Sequence, residues 1–433
     1  MLGKGKSKSK SKKLLNDRDL KKYSKDSPGA LDLHYYIMAK RNEEDKESDM
    51  VKAKIVDCRL RKGMDAKGTQ LNKDSYEYYV HYVKTDRRLD CWVPPDWVKI
   101  TDQYIETDPK KRKEAGDHDD EDDHHEGMDA NERQAHEDAT KIKTITRVKI
   151  GKYWANTWYY SPYPDEYQDK DCIFYCEYCL EFFSLETELH RHSERCKIVH
   201  PPGNQIYVDP EKKITMWEVD ANRNMAYCEN LSYLSKLFLD HKLLLYPIDL
   251  FLFFVLCEYD ETGHHFVGYF SKNKTFANDY NLSCILTLPF YQKQGYGKFL
   301  MGFSYELSKI EKKIGTPERP LSDLGRKGYI SFWTEKIIEY LNDAKKKGKE
   351  FSLDEMSKET AIRIDDIIET LETYNLIKKR DSKDPKDAKV YICADSSVLD
   401  EIFKQKVRRA SMKVIKENIH WVPYYDPAKE LTK

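Results

Sequence analysis

The stretch "CILTLPFYQKQGYGKFLMGFSYELSK", from Cys284 to Lys309, decides the fold. It reads as an apolar strand, a loop with Gly295 and Gly297, and an amphipathic helix. Neither common phosphate-binding pattern, G-x-x-x-x-G-K-[ST] or G-x-G-x-x-G, fits it. Two glycines spaced by one residue let backbone N–H groups turn toward an anion where the helix begins, and the helix N-terminus favours a pyrophosphate there. On this stretch alone, a plain strand–helix turn is an equal alternative.

The charge of the chain is segregated. Its 433 residues predict two or three domains, and its net charge is only −1. Residues 1–25 carry nine Lys and one Arg against two Asp, whereas residues 114–138 carry twelve acidic residues against one Arg. Such runs bury too little apolar surface to fold, so both are predicted to be disordered. The basic tail could contact nucleic acid, direct nuclear import or merely aid solubility.

Metal binding is not expected in the acidic run, because imidazoles in a flexible segment lack fixed geometry. Its histidines are therefore interpreted as linker residues: His118, His124, His125 and His136. The first residues are basic with no apolar stretch behind them, so no secretory signal is expected. The most apolar run, residues 243–257, is interrupted by Pro247 and Asp249 and is too short to cross a bilayer, so no membrane partner is expected. Ten cysteines at irregular spacing indicate reduced thiols and a metal site in an intracellular protein.

Four folded pieces are predicted along the chain. Residues near 30–100 contain short runs of β-forming residues separated by turns, which suits a small barrel. A cysteine-rich piece covers about 142–203, and residues 204–330 alternate strands with two helices. From 331 to about 400, three helical patterns precede the β-like "AKVYICA", and part of this region resembles a winged-helix unit.

Four residues have zinc-finger spacing, namely Cys176-x₂-Cys179, then twelve residues, then His192-x₃-Cys196. The paired thiolates should lie on a tight turn, and His192 and Cys196 should share one face of a helix. Four soft ligands with no open position make a structural zinc site rather than a catalytic one. His190 is the competing ligand, but its position two residues before His192 turns it away from Cys196.

The motifs that follow the zinc finger resemble one family. They are "HPPGNQIY", "LSKLFLDHK", "GHHFVGYFSK", the opening stretch and "PERPLSDLG". Their order and spacing over residues 142–425, about two thirds of the chain, resemble the MYST family of histone lysine acetyltransferases. The amino-terminal "YYVHYVKTDRRLDCWVPPDWV" resembles the chromo-barrel (tudor-knot) domain of one MYST subgroup. In that subgroup, the enzymes acetylate nucleosomal histones from within multi-subunit complexes.

The resemblance implies an α+β fold, with a small N-terminal β-barrel before a GNAT-like acetyltransferase α/β core. A structural zinc finger and a C-terminal winged-helix-like region should flank that core. The expected divisions are a basic tail (1–27), the chromo-barrel (28–103), an acidic linker (104–141) and the MYST domain (142–425), the last containing the zinc finger (172–200), the acetyl-CoA core (204–330) and the winged-helix-like region (331–425). The implied substrates are lysines of core histone tails, those of the fourth core histone first, and the implied compartment is the nucleus.

The implied cofactor is acetyl-CoA, which gives the opening loop its ligand. Backbone N–H groups of the loop would bind the pyrophosphate, and the strand edge would pair with the pantetheine amides. Ser322 and Ser331 are also implied contacts, with helix capping as an equal alternative. The loop residues are Gln292, Lys293, Gln294, Gly295, Tyr296, Gly297 and Lys298, and the strand residues are Ile285, Leu286 and Thr287.

Catalysis needs a base, because a lysine with a pKa of about 10.4 is almost wholly protonated at neutral pH. Glu318, near Pro317 and Pro320 in a stiff segment, matches the family's glutamate base. The alternative is a surface carboxylate in a charged loop. Cys284 could take the acetyl group as a thiolate nucleophile or be a small buried residue beside the thioester. We favour direct attack by the substrate amine.

Lys242, in "LDHK", matches the lysine that the family acetylates on itself, and the alternative is a solvated helix end. Three residues depart from the family pattern. Lys293 stands where Arg is usual and keeps the charge. Gly302 stands in the helix where an acidic residue is usual and should cost about 1 kcal/mol of helix stability. Cys91 replaces an acidic residue in the barrel, which leaves the ligand preference of the barrel open.

Two other classes of function stay open. A catalytically weak chromatin reader or adaptor would bind histone marks through the barrel and DNA through the winged helix, but Glu318 and the intact loop argue against it. A small-molecule N-acetyltransferase could share the core fold, but the zinc module and the barrel argue for a macromolecular substrate. The aromatic residues of the barrel could form a methyl-lysine cage or pack its core, and RNA or subunit binding also stays open: Tyr78, Tyr79, Tyr82, Trp92 and Trp97.

Overall fold

The chain forms two compact units, Met1–Asp129 and Ala130–Lys433. The computed structural model describes residues 30–31, 33, 36–61, 71–100, 142–168, 170–242, 244, 247–275, 279–348, 350, 352–379, 390–392 and 412–424. The predicted basic tail and acidic linker, with its four histidines, lie outside the described residues. Among the helices that the structure describes, none is both long and apolar enough to cross a bilayer.

The first unit contains a small β-barrel of five antiparallel strands. The strands are β1 Tyr36–Ala39, β2 Val51–Leu60, β3 Tyr76–Tyr82, β4 Cys91–Val93 and β5 Val98–Lys99. They pair in the order β4-β3-β2-β1-β5. Alternate side chains such as Ile37, Ala53, Ile55 and Val80 fill the core of this barrel. The runs of β-forming residues therefore give strands, as the sequence predicts.

The second unit begins with the zinc module. Its elements are β6 Arg147–Ile150, β7 Tyr153–Asn156, helix α1 Asp165–Gln168, β8 Cys172–Tyr175, β9 Phe182–Phe183 and helix α2 Glu186–Ser193. The strands pair in the order β7-β6-β8-β9. Val148, Ile150, Ile173 and Tyr175 join the same hydrophobic core as the central sheet, so the module is packed onto that sheet rather than hinged from it.

The central sheet is antiparallel and has five strands. They are β10 Asn204–Asp209, β11 Ile214–Asp220, β12 Phe251–Asp260, β13 Gly263–Asn273 and β15 Ile285–Thr287, in that order across the sheet. A short parallel pair, β14 Tyr280–Leu282 and β16 Thr316–Pro317, lies beside it. Helices α3 Met225–Lys236 and α4 Tyr296–Ile310 complete this part. The short strand β15 therefore ends the sheet and leaves one backbone edge outside it.

A glycine lets β15 join the sheet. Gly268 of β13 pairs with Thr287 of β15, and a Cβ atom on Gly268 would lie 2.4 Å from the carbonyl oxygen of Leu286. The register of β13 against β12 also shifts near this point, at Leu256. Because a backbone atom cannot give way as a flexible side chain can, only glycine permits this close approach.

Helix α4 follows from its own sequence pattern. Gly295 stands at its N-cap with φ of +102°, a conformation that glycine adopts without the steric cost of a side chain. Phe299, Leu300, Phe303 and Leu307 recur at helical spacing, and all are buried in the main core. The strand, loop and helix read from the opening stretch are confirmed.

The winged-helix-like region follows. It consists of α5 Asp323–Lys346, α6 Leu353–Thr360, α7 Ile364–Thr373 and an antiparallel pair, β17 Ile377–Lys379 and β18 Val390–Ile392. Its own core includes Tyr329, Trp333, Ile338, Met356 and Ile367. Three helices followed by a short hairpin confirm the order predicted from the sequence.

The segment 412–424 returns from this region to the central sheet. The N–H group of His420 donates to the carbonyl of Ile206 on β10 at 2.8 Å. At its start, Met412 lies next to Gly295, with a side-chain atom 3.5 Å from where a Cβ on that glycine would be. The segment therefore supports the loop before α4 from outside.

Candidate active site

Two short strands bring Glu318 to the strand that leads to Cys284. β14 and β16 run parallel, and the N–H group of Glu318 donates to the carbonyl of Leu282 at 2.8 Å. Cys284 lies two residues beyond Leu282. Both Glu318 and Cys284 are half-exposed, so each side chain can be reached from solvent.

Cys284 is fixed through its backbone by one residue of β13. The N–H group of Ser271 donates to the carbonyl of Cys284 at 2.9 Å, and the N–H group of Cys284 donates to the hydroxyl oxygen of Ser271 at 3.2 Å. Ser271 is buried. Sequence reasoning missed Ser271, because its only signal is its place on a strand whose register the sequence does not reveal.

Backbone hydrogen bonds alternate along β15 and leave one edge open. The carbonyl of Cys284 and the N–H group of Leu288 both bond to β13, at 2.9 and 3.0 Å. Since every second residue of an antiparallel strand bonds to the same neighbour, Leu286 also faces β13, whereas the polar backbone groups of Ile285 and Thr287 face away from it. Of the three predicted strand residues, Ile285 can therefore pair with the amides of an extended ligand. Thr287 can do so through its N–H group, because its carbonyl accepts from the side-chain amide of Gln292 at 3.0 Å.

The loop before α4 fits an anion. Gly295 offers no side-chain acceptor, and the first intrahelical bond runs from the N–H group of Phe299 to the Gly295 carbonyl at 3.0 Å. The N–H groups of the three residues between them therefore have no partner from the helix itself. A Cβ on Gly297 would meet only the hydroxyl of Thr287, at 3.8 Å, so the space beside it is open. N–H groups without a helix partner, next to open space at Gly297, suit the pyrophosphate of acetyl-CoA.

The side chains of this loop contact protein groups. Gln292 and Gln294 each donate to a backbone carbonyl of the preceding residues at 3.0 Å. Lys298 pairs with the buried Glu335 of α5 at 3.1 Å, and the hydroxyl of Tyr296 donates to a glutamate of β12. Lys293 is exposed, with φ of +62°. These contacts shape the loop, which leaves the backbone N–H groups to meet a ligand.

The two serines have different places on α5. Ser322 is its N-cap, and its hydroxyl oxygen accepts from the N–H group of Gly325 at 3.1 Å. Capping therefore accounts for Ser322 as a structural residue. Ser331 lies in the interior of the helix and is half-buried, so capping does not account for it.

Lys242 is buried, so its interpretation as a solvated helix end is wrong. Helix α3 ends at Lys236, and the chain then turns back toward the core. The ammonium nitrogen of Lys242 lies 5.9 Å from the ring centroid of Tyr269 and 5.9 Å from that of Phe253. Burial lowers the pKa of Lys242, but the charges that Tyr269 and Cys284 carry when ionised raise it more, and the net shift is upward.

The four predicted zinc ligands converge. The ligand atoms of Cys176, Cys179, His192 and Cys196 all lie within 4.8 Å of one another. Three thiols and one imidazole around one point are the donor set of a closed structural zinc site, so the residues fit the ion. Among the described residues, His190 is not part of this cluster, and the choice of His192 agrees with the structure.

One detail of the zinc prediction was wrong. His192 lies in the last turn of α2, which ends at Ser193, so Cys196 is not on the helix. The N–H group of Cys196 still donates to the carbonyl of His192 at 2.8 Å. The chain leaves the helix in a tight turn because the thiol must meet the two cysteines of the β8–β9 hairpin.

The histidines next to each other on β13 are far from Cys284. His265 lies between the carboxylates of Glu177 and Asp260, at 2.8 and 3.0 Å. Six residues separate His265 from Ser271, which is about 20 Å along a strand. His265 therefore joins β13 to the zinc module and to the end of β12, whereas a ring nitrogen of His264 lies 3.0 Å from the hydroxyl of Thr215 on β11. Neither histidine is placed to act as a base at Cys284.

The barrel aromatics do not form an open cage. Tyr78 and Tyr82 are buried in its core, and their hydroxyl groups donate to backbone carbonyls at 2.9 and 2.5 Å. Tyr79 meets Trp92 edge-on at 5.4 Å. The guanidinium of Arg59 already lies over the Trp92 ring, 4.3 Å from its centroid. Of the two interpretations that the sequence left open, core packing therefore explains most of these aromatics.

Three family models match the chain. Residues 200–419 match the MOZ/SAS family, residues 142–196 match the MYST family zinc finger domain, and residues 32–100 match the RNA binding activity-knot of a chromodomain. Among similar proteins is "Histone acetyltransferase of the MYST family 2" of Arabidopsis thaliana, 46% identical over 82% of this chain and 79% of that protein. Another is "Histone acetyltransferase Tip60 homolog" of Caenorhabditis elegans, 35% identical over 91% of this chain and 90% of that protein.

These matches agree with the geometry described above. The MOZ/SAS match covers the central sheet, the loop before α4 and the segment of Glu318, and it spans more than half of the chain. The zinc finger match covers all four converging ligands. The chain therefore belongs to the MOZ/SAS, or MYST, family.

Proposed function

We propose that this chain is a histone acetyltransferase that moves the acetyl group of acetyl-CoA to the side-chain amine of lysines in core histone tails. Its membership of the family and the names of its relatives support this activity. One observation carries the proposal: Glu318 is bonded to β14 just before Cys284, beside an open strand edge and an uncapped helix N-terminus. These features supply a base, a binding edge for amides and a site for pyrophosphate in one place.

Glu318 acts as the general base. At neutral pH its carboxylate accepts a proton from the substrate ammonium, and the resulting neutral amine can attack a carbonyl carbon. Acetyl-CoA, when bound, supplies the thioester carbonyl and the thiolate leaving group. Backbone groups of Ile285 and Thr287 orient the cofactor arm, and the N–H groups at the start of α4 bind its pyrophosphate. Further contacts with the cofactor are proposed for the loop residues Gln292 to Lys298 and for Ser322 and Ser331.

Direct transfer is the chemistry we favour, with Cys284 beside the reaction. The alternative gives Cys284 the acetyl group first, as a thioester, before the lysine amine takes it. Ser271 fixes the backbone of Cys284 on both its N–H and C=O sides, which suits a residue that lines the cofactor site in either route.

Lys242 is proposed as a site of self-acetylation. It is buried next to Tyr269 and near Cys284. A buried cation is costly to desolvate, and acetylation would remove its charge. The position of Lys242 near Cys284 supports its acetylation by the enzyme itself.

The other modules are proposed to serve chromatin binding. The barrel is proposed as a binding module, with RNA favoured over methyl-lysine because most of its aromatics are packed rather than arranged as a cage. The protein is proposed to work in the nucleus as a subunit of a multi-protein acetyltransferase complex. The proposed divisions are those of the sequence analysis, with the barrel at 28–103 and the catalytic domain at 142–425. Zinc is structural because its four ligands leave no open position.

Acetyl transfer from labelled acetyl-CoA to purified core histones tests the activity. We expect label on lysine side chains of histone tails, with its positions resolved by mass spectrometry and the fourth core histone labelled first. Free polyamines and small amines serve as controls for a small-molecule acetyltransferase. Label on the small amines and none on histones would contradict the proposal. Absence of transfer to either, with zinc and cofactor bound, would favour a catalytically weak chromatin reader.

A further inference from the structure

The segment that carries Glu318 is bound on two opposite sides. On one side, the N–H group of Thr316 donates to the carbonyl of Asp279, just before β14, at 3.0 Å. The N–H group of Glu318 donates to that of Leu282, the last residue of β14, at 2.8 Å. On the other side, the N–H group of Gly315 donates at 2.8 Å to the carbonyl of Ala361, between α6 and α7. The segment therefore joins the catalytic strands to the winged-helix-like region.

Arg319, the residue after Glu318, is held by that same region. Its guanidinium nitrogen Nη2 lies 2.6 Å from a carboxylate oxygen of Asp366 and 3.4 Å from one of Glu369, both on α7. Arg326 of α5 reaches the same Glu369 at 2.9 Å. Two arginines and two acidic residues thus form a neutral network on the side of the segment that faces α7.

The burial of Asp366 restricts the orientation of the Arg319 side chain. Its side chain is only 2% exposed, whereas that of Arg319 is 44% exposed. A buried carboxylate needs a cation at a fixed position, and one short charge-assisted hydrogen bond from the Arg319 guanidinium reaches Oδ1 of Asp366. Oδ2 of Asp366 is buried without a hydrogen-bond partner among the described residues, which makes the single contact to Arg319 harder to replace. Arg319 therefore has one favoured orientation, and Pro317 and Pro320 restrict the backbone on either side of the Glu318–Arg319 pair.

We infer that Arg319 is a positioning residue for Glu318, and that Asp366 and Glu369 of α7 anchor it. The inference rests on the proposed role of Glu318 as general base. Helix α7 then contributes to catalysis without itself touching substrate or cofactor. It fixes the residue adjacent to the base, while β14 fixes the backbone of the base itself.

The test is steady-state kinetics of the full chain with acetyl-CoA and a histone tail peptide. Arg319→Met should lower kcat at neutral pH by about 10- to 100-fold, the effect of a displaced catalytic group, and leave the KM for acetyl-CoA unchanged. In the Glu318→Gln background the same change should have little further effect, because no base is left to position. Arg319→Lys keeps a cation and should restore most of the activity.

Arg363→Met is the matched control. Arg363 pairs with Asp365 at 3.0 Å on the exposed start of α7, with side chains 52% and 71% exposed, so it offers a similar ion pair away from the base. It should leave kcat unchanged. An Arg319→Met enzyme with normal kcat, or a loss that adds fully to that of Glu318→Gln, would overturn the inference.

A second variant tests the inference if Arg319→Met does not fold. If thermal melting shows that Arg319→Met does not fold, Glu369→Gln removes the charge of the half-buried carboxylate that Arg319 shares with Arg326 and leaves Asp366 in place. A fall in kcat that disappears in the Glu318→Gln background supports the inference, and an unchanged kcat overturns it. If Glu318→Gln alone keeps normal activity, the base assignment fails and the inference fails with it. If Glu318→Gln is impaired and the Arg319 effects are additive, only the inference fails.

Discussion

At the scale of single residues, the site depends on a backbone hydrogen bond that holds Glu318 against the strand leading to Cys284. Leu282 joins them, because its carbonyl accepts from Glu318 and its strand continues toward Cys284. Glutamate can take a proton and cysteine can take an acetyl group, so the two residues support two different routes. Glu318→Gln tests the base, and Cys284→Ala distinguishes the two routes.

Glu318→Gln keeps the shape of the side chain and removes the proton acceptor. The rate of transfer at neutral pH should fall by about 10²- to 10⁴-fold, the usual contribution of a positioned base. The loss should shrink as the pH approaches the pKa of the substrate lysine, about 10.4, because free amine then forms without help. Rates of acetyl transfer measured across a pH series check this. A defect of equal size at every pH would remove Glu318 from the role of base.

Cys284→Ala separates the two routes. If transfer is direct, the variant should keep substantial activity, and no acetyl group should accumulate on residue 284 of the natural enzyme. Single-turnover assays and mass spectrometry of the enzyme mixed with acetyl-CoA measure both quantities. A nearly inactive variant together with a thioester on Cys284 of the natural enzyme would establish the two-step route instead.

At the scale of elements, helix α4 and the zinc module depend on local sequence to different degrees. Helix α4 keeps a glycine, Gly302, within its length. A Cβ there would lie 3.5 Å from Phe332 and 3.6 Å from Val414, which is ordinary van der Waals contact. The zinc module depends instead on four side chains, drawn from a hairpin, a helix and the turn after it.

Gly302→Ala should stabilise the protein. The substitution removes the conformational freedom of a helical glycine and adds a methyl group where there is room, so the free energy of unfolding should rise by about 1 kcal/mol. Chemical denaturation measures this. Gly268→Ala is the contrasting change and should be destabilising, because its Cβ would meet a backbone oxygen at 2.4 Å. A destabilised Gly302→Ala would mean that Phe332 and Val414 leave less room than their distances indicate.

Cys179→Ser should remove zinc and destabilise the zinc module. Metal analysis of the natural protein should give one zinc per chain, and the variant should bind less and melt at a lower temperature, since metal binding and folding are coupled. Cys172→Ser is the matched control, because Cys172 lies on the neighbouring β8 and outside the ligand cluster. Zinc-free natural protein, or an unchanged melting temperature for Cys179→Ser, would contradict a structural zinc.

At the scale of the whole molecule, charge is distributed by segment rather than evenly. The net charge is −1, but residues 1–25 carry ten positive side chains against two negative ones, a difference of eight. A strongly basic segment attracts the phosphates of nucleic acid, and such attraction weakens as salt concentration rises. A chromatin enzyme with such a segment would bind nucleosomes partly through it.

Deletion of residues 1–25 should weaken binding to nucleosomes at low salt and make that binding less dependent on salt. The slope of log affinity against log salt concentration measures the number of phosphate contacts that are lost. Acetylation of a free histone peptide should be unchanged, because the deleted segment lies outside the catalytic unit Ala130–Lys433. An unchanged slope would assign the tail to import or solubility instead.

The amino-acid sequence by itself determined the features that lie close together along the chain. The loop between β15 and α4 and the hairpin that carries Cys176 and Cys179 are short, and their glycine, cysteine and apolar spacings specify local geometry. The helices and strands of the catalytic unit follow from hydrophobic periodicity in the same way. The roles of Glu318 and Lys242 were inferred from the family resemblance, because no hydrophobic periodicity or motif spacing indicates them.

Only the tertiary structure decided which distant residues meet. Lys242 is buried, Ser271 binds both sides of Cys284, and Arg319 reaches Asp366, yet none of these contacts leaves a pattern in the sequence. The same holds for Cys196, which leaves its helix to complete the zinc site. The physical reason is that such contacts depend on strand register and on the packing of one element against another, and a shift of one residue in register would turn each side chain to the opposite face.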